Sequence, residues 1–376
     1  MTPISAPARP YLGYLDSLRG VAALIIAVFW HYQHFSSRFQ PGAPPFEASP
    51  LFDIEPFRSL YAWGYLSVDL FFMVSGVVLA HVYEDAIAAR QVGWKRFAWL
   101  RFARLYPVHL LTLLVAAGLV WLFHADTHRF PVYTGNNAYF FMLNVLFLQG
   151  TPGLAPDYSF NGPAWSLSTE AAMYVLFFVV AASGRARLLA PVLVGLGLIG
   201  WLHGLDERFA RGLVGFFGGV VICQTSGRSA SGWVVLPLGF TLALCVFMGL
   251  LAAGVRPAVP GIDGKLTFAW LASALLIAAV LHWPTLQRRL DTRPLRLLGD
   301  LSLSLYMVHF PVQVAVLLVC ERMRTPPPSD RAWFWGLVTL LELTAAWAVH
   351  RGFERPSRVW LRALPGRRRP HVAITR

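Results

Sequence analysis

The sequence predicts an all-α integral membrane protein: about ten transmembrane helices in one bundle, with a short re-entrant or interfacial helix near residues 139–150. Three observations carry that expectation. The 376 residues are 56% hydrophobic and only 14% charged, with a mean hydropathy of +0.53, which is more apolar surface than one soluble core hides. The apolar residues fall in runs close to the roughly 20 residues a helix needs to cross a bilayer. The basic residues fall between those runs and collect on one side of the membrane.

The spans, in chain order, are 20–36, 60–82, 97–123, 164–183, 188–203, 209–226, 233–253, 265–283, 301–320 and 333–353. An eleventh apolar stretch, "YFFMLNVLFLQG" at 139–150, has 12 residues and is short for a crossing. Charge decides its role. If it stays on one side, the cytoplasmic pieces hold 22 of the 32 Lys and Arg residues and both termini are cytoplasmic. If it crosses, every later loop flips and the basic tail "LPGRRRP" lies outside. The first arrangement is therefore expected.

One basic residue precedes Arg19 and no small-residue cleavage site follows the first run, so that run is expected to remain as an anchor. The Pro-rich pieces "FQPGAPPFEASP" and "RTPPPSD" are loop-sized and no repeat is visible. The organisation expected is one membrane-embedded domain over 1–360 and a basic cytoplasmic tail over 361–376. The net charge of +13 follows from this inside bias, and no nucleic-acid partner is expected. Cys223, Cys245 and Cys320 all lie in apolar segments with neither disulfide nor metal spacing.

Ionisable residues inside spans are costly and mark function by default. In "KRFAWLRFARLYP", Arg101 and Arg104 stand three apart on one helix face at the cytoplasmic border. Two guanidinium groups there suit the phosphates of a polyanion such as coenzyme A, and also the headgroups that any membrane anchor meets. "LDSLRGVAALIIAVFWHYQHF" puts Arg19 at the mouth of an apolar run and His31 and His34 within it. At 1.5 Å per residue His31 lies roughly 18 Å above the inner border, and Glu170 of "GPAWSLSTEAAMY" lies about 9 Å below the outer start of its span. In a hydrocarbon core about 30 Å thick the two fall at similar depth and are expected to pair.

Two further matches carry less. "GLGLIG", Gly195 to Gly200, fits GxGxxG but lies in an apolar helical span, where small residues serve helix packing. "HADTH" sets His124 and His128 at i, i+4 without a third ligand, so no metal site is expected.

Taken together, "LDSLRGVAALIIAVFWHY", "LFFMVSGVVLA", "RFARLYP", "PAWSLSTEAAMY", "GDLSLSLYMVHFPV" and "HRGFERP" occur in the order seen in the acyltransferase 3 family, which the chain resembles from about residue 11 to 360. Members are integral-membrane enzymes that O-acylate bacterial surface polysaccharides, lipooligosaccharides and related glycosides. The resemblance maps the family's basic-to-histidine motif onto Arg19 and His31, its RxxR pair onto Arg101 and Arg104, and its WSLxxE glutamate onto Glu170. It implies acetyl-CoA or another acyl-CoA as donor, a carbohydrate or glycolipid acceptor, a place in the bacterial cytoplasmic membrane and no metal. No extension that holds a hydrolase-like domain is seen, so a stand-alone membrane unit is expected.

One spacing departs from the family. Eleven residues rather than ten separate Arg19 from His31, which turns the pair about 120° apart on a straight helix. Three arrangements restore the motif, in this order of preference: Arg19 in a pre-helical turn, a π-bulge that absorbs the extra residue, or His34 in place of His31.

Acyl transfer to a hydroxyl needs a base, and neutral imidazole, with an ordinary pKa near 6.5, suits that task. His31 is assigned as general base and Glu170 as its orienting or charge-stabilising partner. Arg101 and Arg104 hold the donor's phosphates, with Arg19 on phosphate or on the thioester carbonyl. Ser75, Tyr306 and His309 are further pocket candidates. No cysteine lies in a matched motif, so direct transfer is preferred to an acyl-enzyme. The rival reading is a secondary transporter with buried ionisable residues, but neither inverted repeats nor paired broken helices are evident.

Overall fold

The computed structural model describes residues 12–226 and 264–364. Among them every regular element is helical. The α-helices are α1 Gly13–Leu24, α2 Phe57–Trp63, α3 Ser67–Ala88, α4 Trp94–Thr127, α5 Ala138–Val145, α6 Trp165–Ala182, α7 Ala186–Leu202, α8 Glu207–Ser226, α9 Gly264–His282, α10 Pro284–Leu290, α11 Arg293–Arg322, α12 Ala332–Val349 and α13 Arg355–Ala363. Eight helical stretches are long and apolar enough to cross a membrane, and α7, with 17 residues, is a shorter apolar helix. These correspond to nine of the ten predicted spans; the tenth, 233–253, lies outside the described residues, as does most of the tail at 361–376.

Between lipid-facing helices there is little hydrophobic drive to associate, so close packing depends on small residues that let backbones meet. Two glycine contacts show this. A Cβ built on Gly20 of α1 would stand 2.5 Å from the Gly299 amide of α11, and one on Gly299 would meet the Asp16 carbonyl at 2.6 Å. Between α3 and α8, a Cβ on Gly76 would run into the Phe216 carbonyl and one on Gly219 into that of Met73. The "GLGLIG" stretch follows the same rule. Gly197 faces Leu213 and Val214 of α8 from the middle of α7.

These contacts also fix direction. Asp69 pairs with Arg211, and further along both helices Gly76 meets Phe216 and Val220, so α3 and α8 run parallel. Helices α4, α6 and α7 lie between them in the chain, and three crossings after α3 bring α8 back in the same sense. A crossing by α5 as well would make α3 and α8 antiparallel. With 8 residues, α5 spans about 12 Å, far short of the hydrocarbon core. The expected non-crossing helix at 139–150 is thus observed, with its regular part at Ala138–Val145. Likewise α1 and α11 run parallel, since the Gly20–Gly299 contact near one end is followed by a His31–His309 contact further along both.

Candidate functional site

The first helix changes its winding on the way to His31. Helix α1 is regular through Leu24, Ile25–Phe29 form a π turn, and Trp30–Phe35 continue as 3-10 helix. Arg19 lies within α1 proper, so the pre-helical turn preferred from the sequence is not what the chain does. The π turn takes up the extra residue instead: eleven positions from Gly20 to His31 run beside ten from Gly299 to His309. A π turn closes i→i+5 hydrogen bonds and is the usual way a helix absorbs one inserted residue near a functional site.

His31 Nδ1 lies 2.9 Å from His309 Nε2, and the two rings stack with centroids 4.8 Å apart. The tautomers follow from what each partner is able to do. His309 Nδ1 faces the Leu305 carbonyl at 3.3 Å, and a carbonyl only accepts, so Nδ1 carries the His309 proton. In the neutral ring Nε2 then accepts, which makes His31 Nδ1 the donor and leaves the basic lone pair of His31 on Nε2. His309 is fully buried and His31 half-buried.

His34 is committed elsewhere. Gln313 Nε2 donates to Glu342 Oε1 at 2.8 Å, so Gln313 Oε1 accepts from His34 Nδ1 at 2.8 Å. The His34 ring is buried against the edges and faces of Phe39, Tyr133 and Phe310. It also stacks on His31 with centroids 4.9 Å apart, forming one wall for that ring.

The second group is a knot of arginines and carboxylates. Glu170 accepts from Ser75 Oγ at 2.5 Å and from Tyr174 Oη at 2.6 Å. Arg19 is buried, 3.6 Å from Asp16, with Arg104, Glu170 and Tyr174 also around it. Arg104 has Tyr174, Asp16, Glu170 and Glu354 as neighbours. Arg101 is buried, donates to Tyr83 Oη at 2.9 Å and lies over the Tyr83 ring at 5.0 Å. The Nε atoms of Arg19 and Arg101 are buried without hydrogen-bond partners, which is costly for a guanidinium and leaves donors to spare.

The expected His31–Glu170 pair is therefore corrected. Glu170 is satisfied by Ser75 and Tyr174 and has Arg19 and Arg104 among its charged neighbours, while the hydrogen-bond partner of His31 is His309. The depth estimate failed because it placed the start of α6 at the membrane edge. Gly162–Ala164 form a 3-10 turn already buried in the bundle, and Trp165 is buried too, so α6 begins inside the protein. Tyr306 stands between the two groups: it donates to the Pro163 carbonyl at 2.9 Å, lies 2.9 Å from Ser166 Oγ, and has its ring 5.8 Å from that of His309 and Glu170 among its electrostatic neighbours.

Several participants went unread in the sequence. Tyr174 stands at i+4 from Glu170, Gln313 at i+4 from His309, and Glu354 at i+4 from His350, spacings that share a helix face and were open to notice. Glu354 accepts from Ser304 at 2.7 Å and faces His350 Nδ1 at 2.9 Å. A separate buried ion pair, Arg211 with Asp69 at 2.8 Å, is completed by the Trp270 indole N–H and joins α3, α8 and α9. Among the described residues no three His, Cys, Asp or Glu side chains converge as a metal site; His124 stacks on Phe130, and His128 ends α4 in a left-handed turn.

An all-helical bundle with at least eight membrane-length helices, a buried imidazole pair and an arginine cluster defines a multi-pass membrane protein with an intramembrane polar site. The pattern of the acyltransferase 3 family, an acyltransferase domain, matches residues 12–351, and the chain belongs to that family. It is 34% identical over 200 residues to "Protein 2 in picA locus" of Rhizobium radiobacter, covering 50% of this chain and 91% of that protein. It is 22% identical over 322 residues to the peptidoglycan O-acetyltransferase OatA of Listeria monocytogenes, covering 76% of this chain and 51% of that one. The acyltransferase MdmB of Streptomyces mycarofaciens is 34% identical over 116 residues, 30% of this chain and 27% of its own. The chain thus spans about half the length of the Listeria relative. No solved structure matches it.

Proposed function

We propose that the protein moves an acetyl or similar short acyl group from acyl-CoA to a hydroxyl of a surface polysaccharide, lipooligosaccharide or related glycoside, with His31 as general base. The observation that carries this reading is the directed chain from the Leu305 carbonyl through His309 to His31, which leaves a basic lone pair on His31 Nε2. In that arrangement the acceptor O–H gives its proton to Nε2 while its oxygen attacks the thioester carbonyl. The imidazolium so formed keeps its Nδ1–H on His309, whose neutral ring accepts it. Collapse of the tetrahedral intermediate breaks the C–S bond, and the departing thiolate recovers the proton from Nε2.

In this reading His309 takes the positioning role first given to Glu170. Glu170 instead balances charge between Arg19 and Arg104 and fixes their place. Arg101, Arg104 and Arg19 hold the donor's phosphates, since phosphate is bound well by guanidinium forks and poorly desolvated without them. Only the acyl-pantetheine arm then enters the bundle. With α4 beginning on the cytoplasmic side, the donor enters from the cytoplasm, the acceptor from the opposite face, and both termini are cytoplasmic.

The test is a transfer assay on purified protein in lipid nanodiscs, with labelled acetyl-CoA and a glycan acceptor from the host surface. Label moving to the glycan with one CoA released per acyl group supports the reading. Release of CoA without acylated glycan, or no dependence on acyl-CoA, overturns it.

A further inference from the structure

The arginine cluster does not stop at α4. Helix α13 follows the π turn His350–Glu354 and packs beside α4, where the Trp99 indole donates to the Leu361 carbonyl at 3.0 Å. That bond brings the end of α13, with Arg362, beside α4. The charged groups acting most strongly on Arg362 are Arg358, Arg101 and Arg104, with the Tyr83 phenol among them. Arg358 lies 3.8 Å from Glu354, itself held by Ser304 and His350.

Arg358, Arg101 and Arg104 all act on Arg362, whereas Arg104 itself has Asp16, Glu170 and Glu354 as carboxylate neighbours, so the excess of positive charge lies on the outer side, at Arg362. Such an arrangement is stabilised by a polyanion bridging both helices. Exposure rises from Arg101 through Arg358 to Arg362. Arg101 is 8% exposed, the Arg358 side chain 26%, and Arg362 lies in the open. A coenzyme A ester is graded in the same way: the thioester leads, the pyrophosphate follows, and the adenosine 3′-phosphate trails.

We infer that Arg358 and Arg362 form the outer half of a phosphate cradle whose inner half is Arg101 and Arg104, and that the outer half binds the terminal phosphomonoester at the nucleotide end of the donor. This rests on the acyl-CoA reading above. It assigns a specificity role to α13, which otherwise reads as an amphipathic surface helix with Val359 and Trp360 exposed.

The experiment compares CoA with 3′-dephospho-CoA by calorimetry, on the full chain in zwitterionic phosphatidylcholine nanodiscs. The wild type is expected to bind CoA at least about tenfold more tightly, the scale of one charge-assisted contact. The Arg358→Gln/Arg362→Gln double variant should bind both ligands alike, at the wild-type affinity for dephospho-CoA. Arg362→Lys should recover part of the preference, and Arg104→Ala should weaken both ligands together. The inference is overturned if the wild type does not discriminate or if the double variant keeps the wild-type ratio. Repeating the titrations with phosphatidylglycerol separates lipid headgroups from free nucleotide: a double variant that changes only its response to anionic lipid assigns the arginines to lipid and overturns the inference. Failure of the wild type to bind either ligand removes the acyl-CoA reading itself, an outcome distinct from a retained ratio.

Discussion

Gly20 and Gly299 meet backbone to backbone, close enough that a methyl group on either would stand 2.5–2.6 Å from main-chain atoms of the other helix. This contact sets the register of two parallel helices, and His31 and His309 meet as a consequence, eleven and ten residues further on. Gly20→Ala and Gly299→Ala are therefore expected to force the helices apart, at about 1–3 kcal/mol each. Detergent thermal melts should show lower transition temperatures, and transfer should fall further than the fraction unfolded explains. Wild-type melting in either variant would show that α1 and α11 tolerate a different spacing.

The directed chain through His309 predicts an ordered series. His31→Ala should abolish transfer while the protein stays folded in the membrane, a loss on the order of 10²–10⁴ for a general base. His309→Leu removes the acceptor for His31 Nδ1–H and should lower kcat and shift the acid limb of the pH profile. His309→Gln, whose amide oxygen accepts the same hydrogen, should recover part of the rate with a profile nearer the wild type. Near-normal transfer by His31→Ala would move the base to His34.

Glu170 should behave differently from His309. Its carboxylate accepts from Ser75 and Tyr174 and has Arg19 and Arg104 among its charged neighbours, so Glu170→Gln should raise the donor KM and leave the pH profile in place. Tyr174→Phe should do the same more weakly, since it deletes one of two hydrogen bonds, worth about 0.5–3 kcal/mol. A Glu170→Gln profile shifted like that of His309→Leu would restore the direct pairing of Glu170 with the base.

Arg101→Ala and Arg104→Ala should weaken acyl-CoA binding more than acceptor binding, because each removes a charge-assisted phosphate contact of about 1.5–3 kcal/mol. Calorimetry with a non-hydrolysable acyl-CoA measures this directly. Unchanged affinity in both variants would return the pair to the role of membrane anchors.

The proposed sidedness, with both termini cytoplasmic, is open to direct labelling. Single cysteines at Ser37, Gln91 and Arg289, all exposed, placed in a variant free of Cys223, Cys245 and Cys320, report three segments that connect the spans. With an impermeant thiol reagent on intact cells, Ser37→Cys should label while Gln91→Cys and Arg289→Cys stay protected. Labelling at position 91 from outside would invert the assignment and move the donor entrance to the other face.

The sequence by itself determined what local spacing controls. Apolar runs near 20 residues marked nine helices that are observed, because a segment in lipid must satisfy its own backbone and so must be helical. Length and charge together keep the short run at 139–150 from crossing, in keeping with the eight-residue α5, and Arg19, Ser75, Arg104 and Glu170, each marked by its motif, lie in one neighbourhood. Only the tertiary structure decided partners between helices far apart in the chain. Which of the three arrangements absorbs the extra residue before His31, a π turn at Ile25–Phe29, is seen only in the fold. Glu170 was assigned to the wrong neighbour because rise per residue gives depth only if the start of the helix is known, and α6 starts within the bundle. His309 stands out as a pocket candidate from its own segment, but its pairing with His31 is set only when α11 packs against α1, just as the end of α13 comes beside α4 only through packing.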